Sequence, residues 1–305
     1  MSYEIVSIKE FTKSYNGFVA VDQISFEVDR GEIFGLLGPN GAGKTTTLEC
    51  LEGLRLPDGG ELRILGVDPQ REPGKLRNLI GVQLQTSGLP DNMTVEESMK
   101  IFSAYHAVPP RFEVLSRMGL EEKRNSQYHQ LSTGQKRRLS LALAIAHNPP
   151  VIILDEPTAG LDVASRTELH DMMQELKSEG TTIILATHDM AEAEKMTDRV
   201  AILLRGQIIE TGSPRELTTK GTGMTKVSVR TDASVLQDHP GEFPAVTQQV
   251  VKEEYVIYYT TDPGPTVSAI LEFINTQEDN LIDLRVERPS LEERFLEITT
   301  VGGIQ

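Results

Sequence analysis

The chain has 305 residues, of which 38% are hydrophobic and 25% charged, with a formal net charge of −15. That length supports two domains and a sizeable core, and the mix is that of an ordinary globular protein. The acidic balance excludes nucleic acid as the main partner and excludes docking on anionic lipid by bulk charge, because both need a basic face.

The single cysteine, Cys50, cannot close an internal disulfide, which points to a reducing compartment and reads as a small buried hydrophobe. The opening MSYEIVSIKEF has no basic region followed by an apolar run, so no signal peptide is expected. No stretch approaches the ~18–20 apolar residues of a membrane span, so any membrane work would need spans from another chain.

In chain order, YEIVSI, AVDQISFEV and EIFGLL read as strands, separated by Asn16-Gly17 and Asp29-Arg30-Gly31. KTTTLECLEGL reads as a helix stopped at Gly53, Pro57-Asp58-Gly59-Gly60 as a turn and ELRILG as a strand. Residues 86–150 change to a helical pattern. Thr94 and Glu97 form a capping box ahead of a run to His106, a short helix spans Phe112 to Met118, and a helix from Gly134 to His147 is apolar nearly all round and therefore buried. VIIL and TTIILAT are continuous apolar runs, as central parallel strands are, with helices at Val163–Lys177 and MAEAEKM. VAILL and QIIE read as a hairpin around Arg205-Gly206, and Ser213-Pro214-Arg215-Glu216 starts a helix. The loose KGTGMT stretch (220–225) is the expected boundary, giving domains 1–219 and 220–305. Beyond it KVSVR, VTQQV, YVIYYT, VSAILEFINT, LIDLRVE and a helix opened by Ser290 and Glu293 make a small α+β domain.

GPNGAGKT, residues 38–45, fits G-x-x-x-x-G-K-[ST] between a strand and a helix, the context of a phosphate-binding P-loop. Its glycines let backbone N–H groups curl around phosphate oxygens, Lys44 reaches the β/γ-phosphates and the Thr45 hydroxyl ligates Mg²⁺. VIILDEP ends a buried strand with two carboxylates, at the end where open α/β sheets bind ligands. Asp155 suits Mg²⁺ and Glu156 suits polarising an attacking water. His188 ends TTIILAT at the same edge, either as a γ-phosphate partner or as a structural side chain. Gln85 and Gln83 compete for a metal- or water-sensing amide after LIGVQLQ. Tyr15 is either a base-stacking aromatic or an ordinary one. The other five histidines carry only a structural reading. In HQLSTGQKRRLS, Ser132 can cap a helix near Gly134 and leave free N–H groups for an anion, although one helix end contributes only ~0.3–2 kcal/mol to holding it.

Taken in order, GPNGAGKT, Gln85, LSTGQ, VIILDEP, AGLD and His188 resemble the nucleotide-binding subunit of an ATP-binding cassette (ABC) transporter over residues 3–217. The resemblance implies an α/β P-loop NTPase fold with a mixed central sheet, an antiparallel β subdomain and a helical subdomain near 86–150. It also implies a head-to-tail dimer, expected to be of identical chains, holding two ATP molecules with Mg²⁺. By resemblance, Gly38, Pro39, Asn40, Gly41, Ala42, Gly43, Lys44, Thr45 and Thr46 bind phosphate, Tyr15 stacks on adenine, and Thr45, Gln85 and Asp155 hold the metal. Glu156 is the base, assisted by Lys44, Gln85 and the switch residue His188. Leu131, Ser132, Thr133, Gly134 and Gln135 reach the nucleotide of the opposite subunit, beside Asp162. The usual signature is LSGGQ, and Thr133 here keeps that contact only at negative φ. PSLEERFLEIT is similar to the C-terminal extension of the drug- and antibiotic-export branch.

Two classes of function follow. One is the energising subunit of a membrane exporter, at the cytoplasmic face of the membrane through permease subunits on a separate chain. The other is an ABC ATPase acting in translation or DNA repair. A single P-loop, no sustained heptads from Gly53 to Leu131 and the acidic charge favour the first.

Overall fold

The computed structural model describes residues 4–85, 88–220, 224–238 and 242–301. The chain divides into two compact units, Met1–Pro214 and Arg215–Gln305. The sequence reading draws the boundary at 219/220, at the KGTGMT stretch, of which residues 221–223 lie outside the described residues.

The first unit opens with β1 (Glu4–Tyr15), β2 (Phe18–Asp29), β3 (Ile33–Leu37), α1 (Lys44–Leu51), β4 (Gly59–Ile64), α2 (Pro73–Leu79) and β5 (Ile80–Gln83). The helical stretch follows as α3 (Val95–Tyr105), α4 (Glu113–Arg117) and α5 (Thr133–Ala144), with two single-turn 3₁₀ segments between α4 and α5. Then come β6 (Val151–Asp155), α6 (Val163–Ser178), β7 (Thr182–Thr187), α7 (Met190–Met196), β8 (Arg199–Leu204) and β9 (Gln207–Gly212), with α8 (Pro214–Lys220) at the division.

Strands β5-β6-β7-β3-β8 lie parallel in one sheet, with β9 antiparallel at its edge; β2-β1-β4 form a separate antiparallel sheet. The central strands are buried along their whole length, which is why VIIL and IFGLL show no polar alternation. One face of the large sheet, with Phe34, Leu36, Ile153 and Ile184, packs with Leu48 and Leu51 of α1 and with β1 and β2 side chains such as Phe11 and Val28. The other, with Ile33, Ile152, Leu154 and Leu185, packs with Met99, Leu139, Leu143, Leu169 and Met173 from α3, α5 and α6. The Asn16-Gly17 and Arg205-Gly206 turns hold both residues at positive φ, the geometry that closes a two-residue hairpin.

Several elements differ from the sequence reading. β1 runs on through the polar FTKSY, with Glu10 at φ 49° where its pairing with β2 shifts register. β4 already starts at Gly59, so the expected turn is shorter. Helices α1 and α5 stop before Gly53 and His147. α2 was not anticipated: it is a single short helix with Pro73 in its first turn.

The second unit contains β10 (Thr225–Thr231), α9 (Val235–Asp238), β11 (Val246–Lys252), β12 (Tyr255–Thr260), α10 (Pro263–Thr276), β13 (Leu281–Glu287) and α11 (Leu291–Val301). Its antiparallel sheet has the order β11-β12-β10-β13 and packs Val227, Val229 and Tyr258 against Ile270 and Ile274 of α10. Sheet and helices together make the α+β unit.

Candidate functional site

Parallel pairing brings the ends of four strands to one edge of the large sheet. Leu37 stands opposite Thr187, Asp155 opposite Ala186, and Gln83 opposite Leu154. The residues that follow, Gly38, His188, Glu156 and Gln85, therefore leave the sheet on the same side.

The loop of residues 38–43 joins β3 to α1. Gly43 caps α1 at φ 109° and offers no side-chain bond; a Cβ there would lie 2.7 Å from the Ala20 carbonyl oxygen. The position demands glycine on both counts, and it leaves the first N–H groups of α1 free for an anion. Pro39, Asn40 and Gly41 form the exposed crest, while Ala42 and Lys44 are buried. Lys44 Nζ donates to the Gly38 oxygen at 2.8 Å and the Pro39 oxygen at 3.1 Å. Burial lowers the Lys44 pKa, and the charges of Glu156 and Asp155 oppose that shift. Thr46, half-buried, follows in the first turn of α1.

Thr45 Oγ1 donates to Asp155 Oδ2 at 3.0 Å, whereas Asp155 Oδ1 is buried without a partner. Burial raises the Asp155 pKa, and the Thr45 bond counters it. An orphaned carboxylate oxygen beside a threonine hydroxyl, with the Gln85 amide nearby, is a hard-oxygen set of the kind that suits Mg²⁺. Glu156 is 7% exposed and has φ 47°. Its Oε1 lies 2.8 Å from His188 Nδ1, its Oε2 accepts from Gln85 Nε2 at 3.4 Å, and Lys44 Nζ is 3.9 Å away. Gln85 thus reaches the carboxylate cluster. Gln83 is buried on β5, and both of its amide atoms lack a partner.

Tyr15 ends β1 beside the hairpin turn. The cations of Lys13 and Arg55 each lie 5.4 Å from its ring centre, and its hydroxyl is buried without a partner. Of the other histidines, His106 and His147 stack on each other and His170 is buried; His239 lies outside the described residues.

The LSTGQ stretch stands at the start of α5. Ser132 caps it reciprocally with Gln135: Gln135 N donates to Ser132 Oγ at 3.2 Å, and Ser132 N to Gln135 Oε1 at 3.0 Å. Thr133 is exposed in the first turn at negative φ, so its β-branch is accommodated without strain. Leu131 is buried and anchors the turn. A Cβ on Gly134 would lie 2.7 Å from Ser165 Oγ, so only glycine lets α5 approach α6 this closely. Ser165 in turn bonds both carboxylate oxygens of Asp162, the cap of α6, through its N–H and its hydroxyl, each at 2.9 Å. These bonds hold the Asp162 pKa below its usual range. Gly134, Ser165 and Asp162 therefore fix two helix starts side by side.

Sequence reasoning missed a buried polar cluster behind the sheet edge. Glu192 accepts from Thr158 Oγ1 and Thr187 Oγ1, both at 2.6 Å, and lies 3.0 Å from His170 Nε2. Burial alone would raise its pKa, but these three donors bring it below the ordinary carboxylate value. The cluster joins the turn after Glu156, the residue before His188, and α6. A polar His170 on the buried Leu169–Met173–Leu176 stripe was the available signal. Glu192 was obscured, because an acid in the third position of a helix reads as a capping residue. Arg137 was also missed: its Nη1 donates to the Gln85 carbonyl at 2.8 Å.

Residues 21–159 match the family described as ABC transporter. The chain is 35% identical over 311 residues to Nod factor export ATP-binding protein I of Ralstonia nicotianae, covering 98% of this chain and 94% of that one. It is 39% identical over 219 residues to the "Probable multidrug ABC transporter ATP-binding protein YbhF" of Escherichia coli, covering 70% of this chain and 38% of that one. Among solved structures it resembles an ATP-binding subunit of an ABC transporter, with TM-score 0.66, 29% identity, 71% of this chain and 92% of that one. It also resembles a dimeric ATP-binding cassette in a post-hydrolysis state bound to ADP and Pi, with TM-score 0.63, 27% identity, 68% of this chain and 98% of that one.

Proposed function

The chain belongs to the ABC transporter ATP-binding family, and from that premise we propose that it is the ATP-hydrolysing subunit that energises a membrane exporter by closing and reopening as a dimer. The observation that carries this reading is the convergence of Lys44, Gln85 and His188 on the buried Glu156 carboxylate, at the end of the strand that also presents Asp155 to Thr45.

Each residue has a task that its surroundings support. The uncapped start of α1 and Lys44 bind the phosphates; with a phosphate present, Lys44 exchanges its two backbone carbonyls for phosphate oxygens. Thr45 and Asp155, with Gln85, would hold Mg²⁺, which when bound neutralises phosphate charge. Glu156 accepts the proton of the attacking water. His188 orients that carboxylate: since a carboxylate only accepts, their 2.8 Å bond needs the proton on Nδ1. Tyr15 offers its ring to adenine. Ser132, Thr133 and Gly134 present helix-start donors to the nucleotide of a second copy, completing a site that neither copy holds alone.

No helix among the described residues is long and apolar enough to cross a membrane, so the transport path belongs to a permease on a separate chain. A groove of about 570 Å³ between α1, α2, β5, α3 and α5 suits that partner, its lining including Leu54, Leu84, Phe102 and Tyr105 together with Glu52, His106 and His147. Leu54, Leu84 and Tyr105 are all largely exposed there, a concentration of apolar surface that marks interaction sites. The relatives bear the words export and multidrug, which supports outward transport, of a drug, antibiotic or other hydrophobic compound on the proposed reading, and a place at the cytoplasmic face of the membrane. A role in translation or DNA repair is disfavoured, because among the described residues the helices between Gly53 and Leu131 are short and no coiled coil interrupts the cassette.

The test is Glu156→Gln. ATP binding should persist, hydrolysis should fall by about 10²–10⁴-fold, and ATP should shift the protein from monomer to dimer in sedimentation. Full turnover by this variant would reject the assigned base, and a monomer at saturating ATP would reject the shared site.

A further inference from the structure

The ring of Tyr15 is not fixed by its own polar handle. Its hydroxyl is buried without a hydrogen-bond partner, whereas a buried tyrosine usually finds one. What lies against the ring is charge: Lys13 Nζ and the Arg55 guanidinium carbon are each 5.4 Å from its centre, within cation–π reach.

Each cation is tied to a carboxylate of its own. Lys13 Nζ donates to Asp58 Oδ1 at 2.8 Å, Ser14 N donates to Asp58 Oδ2 at 2.6 Å, and Asp58 N donates to the Thr12 oxygen at 2.9 Å. Asp58 is thus fastened to the three residues before Tyr15. Arg55 donates through Nε and Nη2 to the two oxygens of Glu49, a two-pronged pair that fixes direction as well as distance. The bond to Asp58 raises the pKa of Lys13, and that to Glu49 raises the pKa of Arg55, so both stay charged. Glu49 lies on α1, five residues after Lys44, about 7.5 Å along the axis at ~1.5 Å per residue. Through Arg55 and Glu49 the ring is therefore referred to the same helix that the glycine loop leads into.

We propose that Lys13 and Arg55 are positioning residues for the nucleotide base: they hold the Tyr15 ring still, at a fixed reach from the phosphate loop, so that adenine stacks on it without first having to order it. This rests on the reading of Tyr15 as the platform for adenine. Immobilising a free side chain on binding costs affinity. A ring already ordered by two anchored cations has met that cost before the nucleotide arrives. Exposed ion pairs contribute little to folding. The side chains of Arg55 and Glu49 are 46% and 24% exposed, so stability alone gives that pair little to do.

The experiment compares the full chain with Lys13→Met, Arg55→Met and their double variant, methionine keeping bulk without charge. Two quantities are measured: the KM for ATP, and the inhibition constant of inorganic tripolyphosphate, which carries phosphates but no base. Each single variant should raise the KM by about 2–5-fold, and the double variant by about 4–25-fold. The kcat and the tripolyphosphate constant should stay within about two-fold of wild type, and the melting temperature should not move. Lys13→Arg and Arg55→Lys, which keep a cation, should retain most of the affinity. A double variant with the wild-type KM overturns the proposal, as does one with a lower KM, which would make the cations a screen over the ring. An equal rise in the KM and in the tripolyphosphate constant also overturns it, because the phosphate loop would then be what was damaged. Tyr15→Ala separates the two readings. If it raises the KM and the double variant does not, only the role of the cations falls; if Tyr15→Ala keeps the wild-type KM, the platform falls with it.

Discussion

Two helix starts in this molecule leave N–H donors free and are finished in different ways. At α1 the cap is Gly43, which contributes no side chain, and the cavity beside it is furnished from within the chain by Lys44, Thr45, Asp155 and Glu156. At α5 the cap is Ser132, bonded reciprocally to Gln135, with Thr133 exposed and no carboxylate in the first turn. The first is a pocket with its chemistry in place. The second is a set of donors held rigid and presented outward, since the Thr133 and Gly134 N–H groups precede the first bond of the helix, from Lys136 N to Ser132 O. On the function proposed above, one end binds and the other completes.

That contrast can be broken at either end. Gly43→Ala should have the largest effect, because it combines a φ of 109° with a Cβ 2.7 Å from the Ala20 oxygen. The loop must move, and ATP binding should vanish in a fluorescent-nucleotide titration, with a stability loss on the order of 1–3 kcal/mol. Ser132→Arg should leave monomer binding intact while lowering turnover by about 10²–10³-fold, the usual consequence of removing a preorganised donor. Equal loss of binding and turnover there would show that the two ends are not separate.

Glu192→Ala sharpens the comparison from behind the loop end. It strands the donors of Thr158, Thr187 and His170 and should cost at least about 3 kcal/mol in denaturant unfolding, at ~1–3 kcal/mol per orphaned group. Because the folded pKa of Glu192 lies below its ordinary 4.5, its contribution is complete above that value and disappears as pH falls through the folded one. The variant should therefore lose stability at neutral pH and differ least from wild type in acid.

Glu52, at the far end of α1, has the opposite sign. Burial pushes its pKa up to about 8, helped by the charges of Asp155 and Glu49, and one of its oxygens has no partner. The folded state holds a proton that the unfolded state releases near 4.5, so wild-type stability should decline as pH rises from there to about 8. Glu52→Gln should flatten that decline in melting temperature measured across the same range. The smallest effect belongs to Thr133→Gly. With Thr133 already at negative φ, the more usual glycine should change turnover by less than about two-fold and cost at most ~1 kcal/mol of helix stability.

Much of the site was legible because its parts are local. The phosphate loop, the DEP carboxylates and the Ser132 cap are runs of a few residues whose neighbours in sequence are also their context. Central strands announced themselves by unbroken apolar runs, and these fix which residues share an edge. The Glu192 cluster was not legible, because its four members come from four separate segments and each has an adequate local explanation. The polar half of β1 hid for a similar reason: its register bulge and its pairing to two neighbours, not its own alternation, keep FTKSY extended. Short α2 has too few residues to show a period at all. Pattern alone did not choose between Gln83 and Gln85, two amides two residues apart; resemblance chose Gln85, and it is Gln85, beyond the end of β5, that reaches Glu156, while Gln83 is buried on the strand.

Glu156 sits at φ 47°, in a region that side-chain-bearing residues enter at a cost of about 1–3 kcal/mol. Glycine or asparagine would occupy that turn more comfortably. Selection for thermal tolerance alone should therefore drift toward those residues at 156 and return a sturdier protein without the base proposed above, and so without ATP turnover. Any programme of stabilisation has to hold this one residue fixed, or read activity alongside melting at every round.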